Sequence, residues 1–277
     1  MRRTVKRVLI IGCNGGFGEL LRRRFAVEGL FVGGIDLQES ASHGIPVDAY
    51  LRCDVTTLSD DAREYIRTFC WIVLCIPEAP AVNALHQIIE AARPGAMIAD
   101  ILSVKSAIVS AAEGTRSDCE YVSIHPLFAP DAGMRGNVAV IPVRFGSNTA
   151  QFLAMLRRWE GSLIEMTADE HDRAMTIVQV ISHAAILALG ATAVGSDVHV
   201  RDNTSTPVHA MLLSLVDRVT AGDPALYWDI QRTNPYAAAA RDRLIDSLER
   251  LIGIIRDDRF DEFTGLFRDI RRMQEHR

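Results

Sequence analysis

Lysine is nearly missing from this chain of 277 residues. Lys6 and Lys105 are the only two, and the other 28 basic residues are arginines. This reads as the codon bias of a GC-rich genome, and it makes Lys105 conspicuous. Positive charge is in deficit: 30 basic residues face 35 acidic ones, a net charge of −5. No basic field therefore favours nucleic acid. The five cysteines, Cys13, Cys53, Cys70, Cys75 and Cys119, are odd in number and form no C-x-x-C pair. That excludes a disulfide framework and a zinc or other metal site, and points to the reducing cytoplasm. Long apolar runs are also missing. The run at 8–11 is too short for a signal peptide and opens into glycines, so it reads as a first strand. The least polar stretch, 184–195, is too short as a run to span a bilayer. Repeats and low-complexity segments are absent.

What is present is an ordinary globular composition, 48% hydrophobic and 23% charged, enough for a sizeable core in one large domain or two smaller ones. In the first half, short β-rich runs at 7–11, 31–35, 50–53, 71–76, 97–102, 121–124 and 138–143 alternate with helical patterns such as 16–28 and 81–92. Near-continuous apolar strands between helices predict a parallel sheet covered on both faces. The pattern changes near residue 165. Thr167-Ala-Asp-Glu170 has the form of a capping box, so a helix should begin there. Beyond it the chain reads as helical, with turn signals at 195–197, 203–207, 222–224 and 234–235. We therefore expect an α/β domain over 1–165 of Rossmann type and an all-helical domain over 166–277.

The strongest local signal is Gly12-Cys-Asn-Gly15-Gly16-Phe17-Gly18, between the first strand and the first helix. A glycine at 15 lets the backbone approach a pyrophosphate, and one at 18 lets helix and strand pack closely. The helix N-terminus adds amides and a positive dipole. The spacing is G-x-x-G-x-x-G, a variant of the usual dinucleotide pattern, and a tight turn alone would also explain it. Asp36, at the end of the second strand, strengthens the ligand reading. A carboxylate there accepts from the adenosine ribose hydroxyls and repels a 2′-phosphate, which favours NAD over NADP.

A dinucleotide domain names no reaction. Short-chain dehydrogenases need Tyr-x-x-x-Lys, and no tyrosine here has a lysine four residues on; β-hydroxyacid dehydrogenases use a helical lysine in the second domain, and none follows Lys105. Histidines remain. His125 ends the run 121–124 and precedes Pro126, which keeps its backbone extended. It lies at the edge where parallel sheets place ligands, as a base or as a structural strand-end residue. His183 lies four residues after Gln179 on one helix, so the two share a face; alone, it reads as a satisfied histidine between domains. His171 reads as a solvated first-turn residue.

Together these residues resemble the prephenate dehydrogenases of tyrosine biosynthesis, most closely the dehydrogenase part of the bifunctional chorismate mutase–prephenate dehydrogenases. The resemblance runs over nearly the whole chain. It rests on the glycine loop with Asp36, Asp100-Ile-Leu-Ser-Val-Lys105, His125-Pro-Leu-Phe-Ala-Pro-Asp131, Glu170-His-Asp172, Gln179-Val-Ile-Ser-His183, Asp217-Arg218 and the segment 223–230. It implies a cytoplasmic, homodimeric enzyme with NAD as cofactor, acting on a cyclohexadiene dicarboxylate. Hydride leaves C4 while a base takes the hydroxyl proton, and the ring carboxylate departs as CO2. It further implies that His125 is the base and that Ser103 bonds near the hydroxyl. Arg218 holds a substrate carboxylate, Lys105 and His183 orient the dianion, and Gln179 lines the pocket. Two positions depart from the family pattern: Ala210 stands where the bifunctional enzymes align an arginine, and the loop reads Phe128-Ala-Pro where relatives often carry glycine. Prephenate is the first expectation for the substrate, then 4-amino-4-deoxyprephenate, then arogenate. A non-catalytic NAD-binding regulator is the alternative of a different class.

Overall fold

The computed structural model describes residues 5–40, 47–194 and 205–275. The turn signals at 195–197 and at 203–204 lie outside the described residues. The chain divides into two compact units, Met1–Arg173 and Ala174–Arg277.

The first unit is built on one eight-stranded sheet of order β3-β2-β1-β4-β5-β6-β7-β8. In chain order its elements are β1 (Arg7–Ile11), α1 (Gly16–Val27), β2 (Phe31–Asp36), β3 (Ala49–Arg52), α2 (Asp60–Arg67), β4 (Trp71–Leu74) and α3 (Glu78–Ala91). There follow β5 (Met97–Asp100), α4 (Ser106–Gly114), β6 (Glu120–Pro126), β7 (Gly136–Arg144), α5 (Ser147–Arg158) and β8 (Gly161–Glu165). Side chains alternate across each strand, and both faces are buried. Leu9, Ile11, Ile35, Ile72, Leu74 and Ile98 meet α2, α3 and α4 on one side. On the other, Val8, Ile10, Trp71 and Val73 meet Phe25 of α1 and Phe152 of α5. This is why the central strands carry apolar residues without a polar alternate.

The sheet departs from the expected all-parallel arrangement. Strands β3 to β6 pair in parallel, but β7 runs antiparallel to β6, with His125 opposite Ala139. The physical reason is connection length: β6 returns through the short loop 127–135 instead of a helical crossover, and only an antiparallel neighbour can be reached that way. The sequence reading also omits β8. Much of this edge strand is exposed, so it lacks an apolar run.

The order reverses between β1 and β4, and at such a point an open sheet leaves a crevice beyond its carboxyl ends. The end of β1 carries the glycine loop, and the end of β4 carries Cys75, Ile76 and Pro77.

Helix α6 (Ala168–Met175) starts on the expected capping box. The Thr167 amide donates to Glu170 at 2.8 Å, and the Glu170 amide donates to Thr167 Oγ1 at 3.2 Å. It continues through a π-helical turn, Thr176–Ile181, into α7 (Ser182–Val194). The apolar stretch 184–194 is thus the end of a helical segment, Ala168–Val194, that is long and apolar enough to cross a bilayer by length and composition.

The second unit is all helix in its described residues, with α8 (Pro207–Thr220), α9 (Pro224–Thr233), α10 (Ala237–Arg256) and α11 (Phe260–Glu275) after α7. Its small core gathers Val180, Ile230, Ala237 and Ala240. Many large apolar side chains stay exposed, among them Leu187, Met211, Ile245, Leu248, Ile252 and Ile255.

Candidate active site

Gly12 has φ +83°, and a Cβ on it would lie 2.3 Å from the Cys75 carbonyl oxygen. A Cβ on Gly18 would lie 2.1 Å from the Gly12 carbonyl oxygen, so helix and strand touch at that point. Gly15 is different: its nearest neighbour would be 3.5 Å away, which leaves that side of the loop open. Gly15 also N-caps α1 without a side-chain cap, so the first-turn amides stay available to an anion. Asp36 anchors the loop by accepting from the Asn14 and Leu37 amides at 2.9 and 2.8 Å. A cleft of about 290 Å³ opens here, lined by Gly12, Gly15, Asp36, Cys53, Val55 and Pro77 among others. The residues present fit a nicotinamide dinucleotide: the α1 N-terminus can receive a pyrophosphate and the Asp36 carboxylate can accept from a ribose hydroxyl. Phe17, whose ring lies 6.2 Å from Phe128, and Gly16, against Pro130, meet the loop that follows His125.

Asp100, at the end of β5, organises the next layer. Its Oδ1 accepts from Lys105 Nζ at 2.9 Å, Ser123 Oγ at 3.0 Å and the Leu102 amide at 3.1 Å. Its Oδ2 accepts from the Tyr121 hydroxyl at 2.8 Å. Lys105 also donates to the Ile124 carbonyl at 2.7 Å. Asp100 and Lys105 are both fully buried. Burial lowers the Lys105 pKa, and the Asp100 carboxylate works against that fall. The lone lysine of the site is therefore committed to this network, holding β5 and β6 together beneath His125. Ser103 stays half-buried in the turn between β5 and α4.

His125, 4% exposed, lies near the end of β6. Burial, then the charge of Lys105, then the neighbouring His171 ring hold its pKa well below the ordinary histidine value. Its Nδ1 is 2.9 Å from His171 Nε2, and His171 Nδ1 is 2.8 Å from Asp172 Oδ1. The reading of His171 as a solvated residue is thus corrected: it has no exposed surface, because the first turn of α6 packs it onto His125. Asp172, equally buried, accepts from the Lys105 and Ser106 amides at 2.9 Å each, and from Ser106 Oγ. Burial pushes its carboxyl up, but the bonds from His171, Ser106 and the two amides outweigh this and lower it. Sequence reasoning left Asp100, His171 and Asp172 out of the site. The tight spacing Glu170-His-Asp172 just inside a capped helix was the available signal.

In the second unit Gln179 falls in the π-helical turn, a local distortion that recurs at functional sites. His183 lies in the first turn of the regular helix that follows, its ring edge-on to Tyr227 with centroids 4.8 Å apart. Gln179 Oε1 and His183 Nδ1 are buried atoms without a hydrogen-bond partner among the described residues. Buried polar atoms in that state can receive a ligand or a water. Burial also lowers the His183 pKa. Arg218 is exposed in the last turn of α8, and Ala210 is exposed in its first turn.

Residues 26–140 match the nucleotide-binding domain of prephenate dehydrogenase, and residues 167–269 match its dimerization domain. The chain is 31% identical over 269 residues to a 4-amino-4-deoxyprephenate dehydrogenase of Streptomyces pristinaespiralis, covering 96% of this chain and 90% of that one. It is 24% identical to a probable arogenate/prephenate dehydrogenase of Methanocaldococcus jannaschii, over 97% of this chain and 61% of the relative. In fold it resembles the prephenate dehydrogenase of A. aeolicus solved with hydroxyphenyl propionate and NAD+, with a TM-score of 0.75, 19% identity and 99% of each chain covered. The near-complete match at 31% identity and the two successive domain matches, added to the cradle and the buried histidine, place this chain in the prephenate dehydrogenase family, as an NAD-dependent dehydrogenase.

Proposed function

We propose that the protein oxidatively decarboxylates a prephenate-type cyclohexadiene, with 4-amino-4-deoxyprephenate as the first candidate substrate and prephenate as the second. The 31% identity over nearly the full length to a dehydrogenase of the amino compound carries this order. It reverses the order expected from sequence. Ala210 agrees with it on one condition: if position 210 borders the substrate, the lack of a cation there leaves a substrate ammonium with less repulsion. Arogenate comes third.

When bound, the nicotinamide ring supplies the acceptor for the hydride leaving C4. His125, kept neutral by its surroundings, takes a proton from the 4-substituent. With a hydroxyl, that proton leaves as the carbonyl forms. Departure of the ring carboxylate as CO2 then returns electrons to the ring, and the resulting phenolate recovers a proton. With an ammonium, the proton leaves first; hydride loss from the free amine gives an iminium, and loss of CO2 gives the neutral aromatic amine. Ser103 would bond to the 4-substituent. The forked donors of Arg218 would pair with a substrate carboxylate. Gln179 and His183, each with an unmatched buried atom, would complete the polar contacts.

We further propose that the protein acts as a cytoplasmic homodimer. On α10 the exposed residues Ile245, Leu248, Ile252 and Ile255 follow the spacing of one helical stripe, and such a face calls for a covering partner.

The test is NADH formation with purified protein and matched concentrations of the three compounds. A kcat/KM for the amino compound at least tenfold above that for prephenate is expected. The reverse preference would restore prephenate as the substrate, and no turnover of any of the three would sink the substrate class.

A further inference from the structure

Three buried side chains stand in line: His125, His171 and Asp172, with contacts of 2.9 and 2.8 Å. Hydrogen-bond chemistry sets the direction of this line. Asp172 receives two backbone amides and the Ser106 hydroxyl, and its carboxyl is held ionised, so it can only accept. His171 must then carry its proton on Nδ1 and donate it to Asp172. A neutral His171 has no second proton, so its Nε2 is an acceptor, and the partner at 2.9 Å must be His125 Nδ1–H. The remaining nitrogen of His125, Nε2, is left with a lone pair.

We propose that His171 and Asp172 are positioning residues that set the tautomer and ring orientation of His125, so that Nε2 of His125 is the atom that takes the substrate proton. The inference rests on the reading of His125 as the base. When the proton moves from the 4-substituent to Nε2, His125 becomes an imidazolium. His171 Nε2 and, through it, the Asp172 carboxylate face that charge. Lys105 opposes it from the start of α4, itself neutralised by Asp100 of β5. The nearest residue paired with His125 on β7, Ala139, contributes no charge. A carboxylate behind a catalytic histidine plays the same part in serine proteases, where its amide replacement keeps the geometry and loses the rate through the wrong tautomer. Asp172 also holds the amides of Lys105 and Ser106, so one carboxylate ties the turn carrying Ser103 and the ring of His125 to a common anchor.

The direct test is long-range proton–nitrogen NMR on the full chain labelled with 15N-histidine, assigned with His125→Asn. The expected spectrum shows His125 protonated at Nδ1 and bare at Nε2. A His125 bare at Nδ1 and protonated at Nε2, as an imidazolium His171 would require, overturns the relay. Turnover gives the second arm. Asp172→Asn should lower kcat about 10²-fold or more, with the Kd for NAD unchanged and the acid limb of the pH profile displaced. Because Asp172 also anchors α4, His171→Leu and His171→Gln serve as a control pair. Leucine removes the acceptor facing His125, whereas the glutamine carbonyl can replace it. Glutamine should therefore recover at least tenfold of the kcat that leucine loses; equal losses in two folded variants, or a leucine variant within threefold of the parent, also overturn it. The spectrum is read without substrate, so a wrong substrate class fails in the turnover assay alone, and a wrong relay fails in the spectrum.

Discussion

At the scale of single residues, the site contrasts two buried bases. Lys105 is committed: its ammonium meets Asp100 and the Ile124 carbonyl inside a fully buried network. Lys105→Ala would leave Asp100 buried against neutral donors only, and breaking a buried pair in this way costs about 3–5 kcal/mol. Denaturant unfolding should show that loss. His125 is instead kept uncharged. His125→Asn should lower kcat by about 10²–10⁴-fold, with NAD affinity, measured by titration, near that of the parent. Its depressed pKa sets the sign of the pH dependence. Only the neutral ring can accept a proton, so activity should persist below about pH 6.5, the ordinary histidine value, and fall only as pH passes well beneath it. A limb centred at or above that value would show that another group titrates. Arg218, exposed in the last turn of α8, is proposed to hold a substrate carboxylate. A charge-assisted hydrogen bond is worth about 1.5–3 kcal/mol, so Arg218→Gln should raise KM about ten- to a hundredfold with a smaller change in kcat. An unchanged KM would remove Arg218 from the substrate site.

Among the elements, the junction of β1 and α1 is the most constrained. Gly18 sits where a Cβ would be 2.1 Å from the Gly12 carbonyl oxygen, a backbone atom that cannot rotate away. Gly18→Ala should therefore cost about 1–3 kcal/mol, in the range of other overpacked sites, and weaken NAD binding at the same time. Thermal melts with and without NAD would separate the two effects. A variant with unaltered stability and affinity would mean that the loop has room to shift. The strand–glycine loop–helix order and the capping box at Thr167 were both legible in sequence, because their signals are local: a run of apolar residues, fixed glycine spacings, a threonine three residues before a glutamate. The direction of β7 and the presence of β8 were not, because an antiparallel return and an exposed edge strand depend on what lies beside them.

For the whole molecule, the contrast between the two units is one of burial. The sheet unit covers its apolar residues on both faces, whereas the helical unit leaves the α10 stripe in solvent. Sedimentation equilibrium should give a dimer. Replacing Leu248 and Ile252 together by glutamate should yield monomers, since burying two carboxylates in an apolar contact is strongly unfavourable. A double variant that stays dimeric would place the interface elsewhere.

The sequence by itself determined the fold class and the cofactor: an α/β domain followed by helices, a glycine loop, and an acidic residue at the end of the second strand. Each depends on residues close along the chain, or on a motif whose spacing carries its own geometry. Only the tertiary structure decided which polar groups meet. The family resemblance implies Lys105 as a substrate contact, yet folding turns it onto Asp100 and the Ile124 carbonyl. His171 reads as a first-turn residue in solvent; packing of α6 places it against a histidine 46 positions earlier in the chain. A helix start looks the same in sequence whether its first turn faces water or a sheet. The burial that neutralises His125 and aligns it with Asp172 exists only once β5, β6, α4 and α6 are packed together.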